Sequence, residues 1–198
     1  MKHKTKIIVF EGMPGAGKTM IIKMLKVILG KQAIVMPQIA LPSSHSNNSL
    51  MTSKKYLDME INKADKIRKL SGKYKYFLVD RVFLTTLAYA YARSRQSSNL
   101  GSYRELLKYF LDLDAKRHFL RPTLFFLFFV SIEKSIDRRA KYAKNKAFKW
   151  WFDSIFLKQM EIFYNKHSSN FGMPNPIIID TTLLKPKEII SIVRQYIL

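Results

Sequence analysis

The sequence predicts a parallel β-sheet covered by helices on both faces, and three observations carry that expectation. Five short apolar runs are spread along the chain: Ile7–Phe10, Ala33–Met36, Tyr76–Arg81 (apolar up to two terminal charges), Leu124–Val130 and Ile177–Asp180. They are continuous and do not alternate apolar with polar, which is the pattern of strands buried on both sides. Between them lie stretches with helical spacing of apolar residues, long enough for the crossovers that parallel strands require.

The elements follow in order. Ile7–Phe10 runs into Gly12-Met13-Pro14-Gly15-Ala16-Gly17-Lys18-Thr19, a glycine-rich turn, and then into a helix carrying Ile21, Ile22, Leu25, Ile28 and Leu29 that Gly30 ends. Pro37 stops the second strand, and Pro42–Ser49 reads as a polar loop. Leu50–Leu70 reads as a long helix with Leu57, Ile61, Ala64 and Ile67 on one side, closed by Ser71-Gly72. The third strand ends in Asp80-Arg81, and Phe83–Arg95 returns to helical pattern. Ser97–Gly101 reads as a flexible connector, and Ser102–Phe119 as a helix with a capping box formed by Ser102 and Glu105. After the fourth strand, Glu133–Lys149 is a strongly basic helical segment and Trp150–Lys166 an aromatic-rich helix. A helix over Pro186–Ile197 follows the last strand.

With 198 residues, 47% of them hydrophobic, the chain is a single domain with a substantial core. Neither a repeat nor a linker divides it. Cysteine is absent, which points to a reducing compartment, and the N-terminal apolar run is too short for the core of a signal peptide. The seven-residue run Leu124–Val130 falls far short of the roughly 20 residues that span a bilayer. A cytoplasmic protein is expected. The net charge of +21 suits polyanionic ligands, but no block of five or six consecutive basic residues forms a nucleic-acid-binding arm. His3, His45, His118 and His167 lack metal-ligand spacing.

Gly12–Thr19 matches G-x-x-x-x-G-K-[ST], the phosphate-binding P-loop. Its glycines let successive backbone N–H groups face one anion, and the helix that follows adds its positive end. Lys18 is placed to reach the β- and γ-phosphates of a nucleotide, and the Thr19 hydroxyl to ligate Mg²⁺. In a parallel sheet ligands collect at the carboxyl ends of the strands, where Asp80-Arg81 and Asp180 also fall. Asp80 is a candidate for holding Mg²⁺ or for accepting a proton. Arg81 is a candidate phosphate clamp, and Glu11 a second base or metal partner. The aromatics Trp150, Trp151, Phe152, Phe156, Phe163 and Tyr164 fit core packing better than a stacking surface, given their helical spacing.

Two stretches resemble a known family. Phe10-Glu11-Gly12 through Thr19 is similar to the opening of thymidylate kinases, whose P-loop follows Phe-Glu-Gly. Asp80-Arg81-Val82-Phe83-Leu84-Thr85-Thr86-Leu87-Ala88-Tyr89 resembles that family's Asp-Arg-Tyr-x-x-Ser-x-x-Ala-Tyr signature, and related deoxynucleoside kinases carry a similar element. The segment from Ser131 to Lys141 resembles the lid of nucleoside and nucleotide kinases, with Arg138 and Arg139 as its arginine pair and lid bounds of approximately 133–149. The resemblance implies a P-loop kinase using ATP and Mg²⁺, with Lys18, Thr19 and Asp80 on the donor side. It also implies that Arg81 holds the acceptor phosphate, that Glu11, Thr85 and Tyr89 line the acceptor site, and that Lys63 stands where the family has a base-contacting arginine. Three departures fall on that acceptor side. Met36-Pro37-Gln38 stands in place of Arg-Glu-Pro, Lys63 in place of arginine, and Ala90 in place of glutamine.

The implied activity is transfer of the ATP γ-phosphate to a nucleotide. Alternatives are a kinase of a nucleoside, another small molecule or a polynucleotide 5′ end, and, in another class, a nucleic-acid-binding ATP-switched module. The expected partners are ATP and a nucleotide or nucleoside acceptor, with nucleic acid less favoured, no membrane span, and a homodimer left open.

Overall fold

The computed structural model describes residues 4–40, 49–97, 100–140 and 150–198, with Ser49 described by its backbone only. The expected Pro42–Ser49 loop, apart from the Ser49 backbone, and the basic run 141–149 lie outside the described residues.

All five expected strands form. They are β1 (Lys6–Gly12), β2 (Ala33–Met36), β3 (Tyr76–Asp80), β4 (Leu124–Phe129) and β5 (Ile177–Asp180). They build one parallel sheet in the order β2-β3-β1-β4-β5. The central β1 pairs Phe10 with Asp80 on one side and Gly12 with Phe128 on the other. The carboxyl ends of three strands therefore meet at one place. Continuous apolarity has the expected cause, since Ile8, Val9, Phe10 and the whole of β3 are buried between helical layers. Phe10 stacks on Phe126 with ring centroids 5.4 Å apart.

Seven helices are described: α1 (Lys18–Leu29), α2 (Ser49–Leu70), α3 (Phe83–Gln96), α4 (Leu100–Arg117), α5 (Ile132–Asp137), α6 (Ser154–His167) and α7 (Pro186–Ile197). The buried apolar residues of α1 are Ile21, Ile22, Leu25 and Leu29, whereas Ile28 faces outward. In α2 the expected stripe of Leu57, Ile61, Ala64 and Ile67 is buried, and Gly72 beyond it turns left-handed at φ 85°. Helix α7 opens with Pro186 at its first position, where a missing N–H is harmless, and it buries Ile189, Ile190, Val193 and Ile197.

Four boundaries depart from expectation. Arg81 is not a strand residue but takes a left-handed conformation at φ 63°. Helix α4 starts at Leu100, so Leu100 and Gly101 are helical, Ser102 lies inside the helix, and Glu105 pairs with Lys54 instead of closing a capping box. The basic helix after β4 is short. It ends at Asp137, once Ser131 has capped its start by accepting from the Lys134 N–H. Helix α6 begins at Ser154 and not at Trp150, because the Asp153 carboxylate accepts from the Phe156 N–H at 3.0 Å and sets the N-cap there.

Candidate active site at the carboxyl ends of β1 and β3

The glycine-rich loop, the candidate phosphate cradle, is shaped by close backbone approach. Gly12 has φ 118°, and a Cβ there would sit 2.1 Å from the Phe128 carbonyl oxygen. No other residue can carry β1 into the turn beside β4. Gly15, at φ 74°, would place a Cβ 3.0 Å from the Ser135 backbone, because α5 packs directly on the loop and Ser135 Oγ donates to the Pro14 carbonyl at 2.7 Å. Helix α1 then starts at Lys18 with its amino end at the turn, where its unpaired N–H groups favour an anion.

Lys18 is buried and folded back over the loop, its Nζ donating to the Gly12 and Met13 carbonyls at 3.0 and 2.6 Å. Burial, and next the nearby charge of Arg81, hold its pKa well below that of an ordinary lysine, while Asp80 and Glu11 oppose the shift. Thr19 Oγ1 donates to Asp80 Oδ2 at 2.7 Å, which joins the motif threonine to the end of β3. The other oxygen of that carboxylate, Oδ1, is buried and has no hydrogen-bond partner among the described residues. A buried, unsatisfied carboxylate oxygen beside a motif hydroxyl fits a divalent cation, which takes oxygen ligands. No group of three or more His, Cys, Asp or Glu gathers among the described residues, so such a cation would need phosphate oxygens to complete its shell.

Glu11 occupies the centre. Its side chain is fully buried, and its two oxygens accept five hydrogen bonds: from the Gly12, Val82 and Thr85 N–H groups, Thr85 Oγ1 and the Tyr164 hydroxyl. Arg81 Nη1 lies 3.8 Å away and donates to the Gly12 carbonyl at 3.2 Å and to Thr85 Oγ1 at 2.8 Å. The left-handed backbone of Arg81 costs ~1 kcal/mol and turns its side chain back towards the loop. Burial pushes the Tyr164 hydroxyl far above the ordinary tyrosine value, and the Glu11 charge adds to the shift, so that hydroxyl is a permanent donor. Thr85, Tyr89 and Arg93 follow one another at intervals of four along α3 and share one face. Tyr89 packs edge-on against Phe156 of α6. Beyond it a cavity of about 210 Å³ is lined by Ala90, Arg93 and Ser94 of α3 and by Tyr103 and Leu106 of α4.

Three expected site residues make contacts that the resemblance did not supply. Lys63 is buried behind Arg81, its Nζ bound to Glu60 and to the Arg81 carbonyl at 2.8 Å. Arg138 reaches the donor loop's backbone, donating to the Gly15 carbonyl at 3.2 Å and, through Nη1 and Nη2, to the side chain and carbonyl of Thr181. Arg139 stacks on the Trp151 ring, its guanidinium carbon 3.9 Å from the centroid. Asp180 is exposed and binds its own loop, where Oδ1 accepts from the Thr182 N–H and hydroxyl. The aromatic run divides in the same way. Phe156, Phe163 and Tyr164 are core, whereas Trp150, Trp151 and Phe152 are half-buried, and the first two face the guanidinium groups of Arg93 and Arg139. Tyr164, Ser135, Thr181 and Glu60 were not singled out by motif. The only sequence signal for Tyr164 was its membership of an aromatic run that also contains plain core residues.

No protein-family model matches the chain, and no curated protein matches it. Solved structures do. A thymidylate kinase from Candida albicans superposes with a TM-score of 0.71 at 14% identity, over 98% of this chain and 91% of its own. A deoxyadenosine kinase from M. mycoides with bound dATP gives 0.64 at 16% identity, over 96% of this chain and 98% of its own. The same kinase with dCMP and dCDP gives 0.60 at 18% identity over the same shares. Among the described residues no helix is long and apolar enough to cross a membrane. The chain has the P-loop fold of the thymidylate and deoxynucleoside kinases.

Proposed function

We propose that the protein is an ATP-dependent phosphotransferase acting on a nucleoside monophosphate. The observation that carries this is the Asp80 carboxylate, bound by Thr19 Oγ1 through one oxygen while the other is buried and unpartnered beside the cradle. Thr19 and Asp80 would hold Mg²⁺, which when bound neutralises charge on the β- and γ-phosphates. Lys18 leaves the loop carbonyls to meet the same phosphates, and the α1 amino end faces them.

The acceptor lies along the Thr85–Tyr89–Arg93 face of α3, its phosphate against Arg81. A phosphate acceptor suits the site for a specific reason. Glu11 already accepts five hydrogen bonds and is a poor candidate base, and Met36-Pro37-Gln38 brings none. A monophosphate is largely ionised near neutrality and attacks in line without one, whereas a nucleoside hydroxyl would have to give its proton to Asp80. Arg139, already held at the cradle's edge by Trp151, supplies charge to the transferring group, and Arg138 keeps the loop and the lid root together. The positive surface of the chain favours both polyanionic substrates.

The test is ATP consumption across a panel of nucleoside monophosphates, nucleosides and short 5′-hydroxyl oligonucleotides. Turnover with one or more monophosphates is expected. Turnover confined to nucleosides or oligonucleotides would replace the acceptor assignment, and salt-dependent oligonucleotide binding with no phosphotransfer would replace the activity itself.

A further inference from the structure

One peptide group in the site is gripped at both ends by buried charges. The Arg81 carbonyl accepts from Lys63 Nζ at 2.8 Å, and the Val82 N–H of the same peptide donates to Glu11 Oε1 at 2.8 Å. Lys63 is itself held by Glu60, with contacts of 3.0 and 2.9 Å to its two oxygens. Glu60, Lys63, Arg81 and Glu11 are all buried. A continuous line of alternating charge thus runs from α2 through the Arg81–Val82 peptide to the end of β1. The residue whose carbonyl Lys63 holds is the left-handed one, and a left-handed arginine persists only where its surroundings hold it.

We propose that Glu60 and Lys63 are positioning residues for the acceptor clamp, holding Arg81 in its left-handed conformation through the Arg81–Val82 peptide. The inference rests on the kinase reading for its kinetic consequence but not for its structural one. A buried ion pair needs a reason to exist, since an apolar pair of similar size is often as stable. Here the reason is geometric, because an apolar residue at Lys63 could not hold the carbonyl.

The pair also ties the clamp to pH. Burial raises the Glu60 carboxyl to about 7, Lys63 on the same helix favours its charged form, and Glu11 at the end of β1 disfavours it. Arg81, at the exit of β3, is joined to it through Lys63. Below about 7 Glu60 keeps its proton, and Lys63 faces a neutral partner. Above it the ion pair forms and the grip on the Arg81 carbonyl tightens. Acceptor KM therefore falls as pH rises through this range, beyond what ionisation of the acceptor phosphate accounts for.

The experiment joins a spectroscopic and a kinetic arm. In ¹⁵N NMR of the full chain, the Val82 amide should shift with a midpoint near 7 in the wild type and lose that titration in Glu60→Gln. Lys63→Met should raise acceptor KM roughly tenfold with ATP KM little changed, the loss expected for one charge-assisted hydrogen bond, and Lys63→Arg should recover part of it. Should Lys63→Met not fold, the Glu60→Gln/Lys63→Met pair, which leaves no unpaired buried charge, takes its place. A Val82 amide that titrates identically in wild type and Glu60→Gln, or does not titrate at all, overturns the proposal. Equal loss in both KM values overturns it too. If the wild type turns over no acceptor, the kinase reading fails and the NMR titration alone decides the positioning role.

Discussion

The two halves of the proposed site are made of different material. The donor half is backbone. Glycines at close approaches, the amino end of α1, and carbonyls that hold Lys18 and Arg138 all lie within one turn or beside it. The acceptor half is side chain. Glu11 from β1, Lys63 from α2, Arg81 after β3, Thr85 from α3 and Tyr164 from α6 converge from five segments, and Tyr164 stands 153 residues from the carboxylate it binds. A backbone cradle tolerates few residue types and reads as a motif. A side-chain cluster can be rebuilt from different residues, which is how Lys63 holds a place where the family has arginine yet contacts the clamp from behind.

Single substitutions separate the two halves. Lys18→Ala removes the ammonium that would meet the nucleotide phosphates, and turnover should fall roughly 10²–10³-fold or more. Because Lys18 is held below its usual range, the wild type should also lose ATP affinity on raising the pH before an ordinary lysine would titrate. The sign follows from the charge, since the ammonium that binds phosphate is present below its pKa and lost above it. A pH-independent ATP KM up to the ordinary lysine range of ~10 would show that burial does not depress Lys18 in the working enzyme.

Arg81→Ala should raise acceptor KM roughly 10- to 100-fold, the loss of a charge-assisted contact, with a much smaller change for ATP. If both KM values move together, the two halves are not separable at this residue. Arg138 and Arg139 offer a finer division. Arg138 binds the Gly15 carbonyl, so Arg138→Ala should loosen the cradle and raise ATP KM by about tenfold, the value of one hydrogen bond of that kind. Arg139 stacks on Trp151, so Arg139→Ala should lower kcat instead. Steady-state kinetics of the two single variants would show whether they divide in this way or act as one unit. The smallest effect belongs to Tyr164→Phe, which removes one of five donors to Glu11 and should lower stability by about 1 kcal/mol in urea unfolding. A loss several times larger would mean that the Glu11 cluster, and not the hydrophobic core beneath it, holds α6 to α3.

The inner strands β1, β3 and β4 were legible because they are largely buried on both faces, where Phe10, Phe77 and Phe126 pack, whereas the edge strand β5 leaves Ile178 62% exposed and was legible from its apolar run alone. The helix boundaries that slipped were those decided by a polar contact away from the local sequence. Ser102 and Glu105 had the residues of a capping box, but Lys54 of α2 claims the glutamate and the helix starts earlier. Trp150 looked like a helix start until Asp153 capped the Phe156 N–H.

The order of residues alone determined the parallel sheet and the glycine turn that carries β1 into α1, because apolar continuity and backbone sterics are local and leave few alternatives. Tertiary structure alone decided what the charged residues do. Nothing in the order of residues says that Glu11 will be saturated by Tyr164, Thr85 and two distant amides, that Arg138 will bind the loop and not lie above it, or that Lys63 will reach Arg81 through its carbonyl. A buried charge must find its partners wherever the packing puts them, and packing is settled by the whole chain.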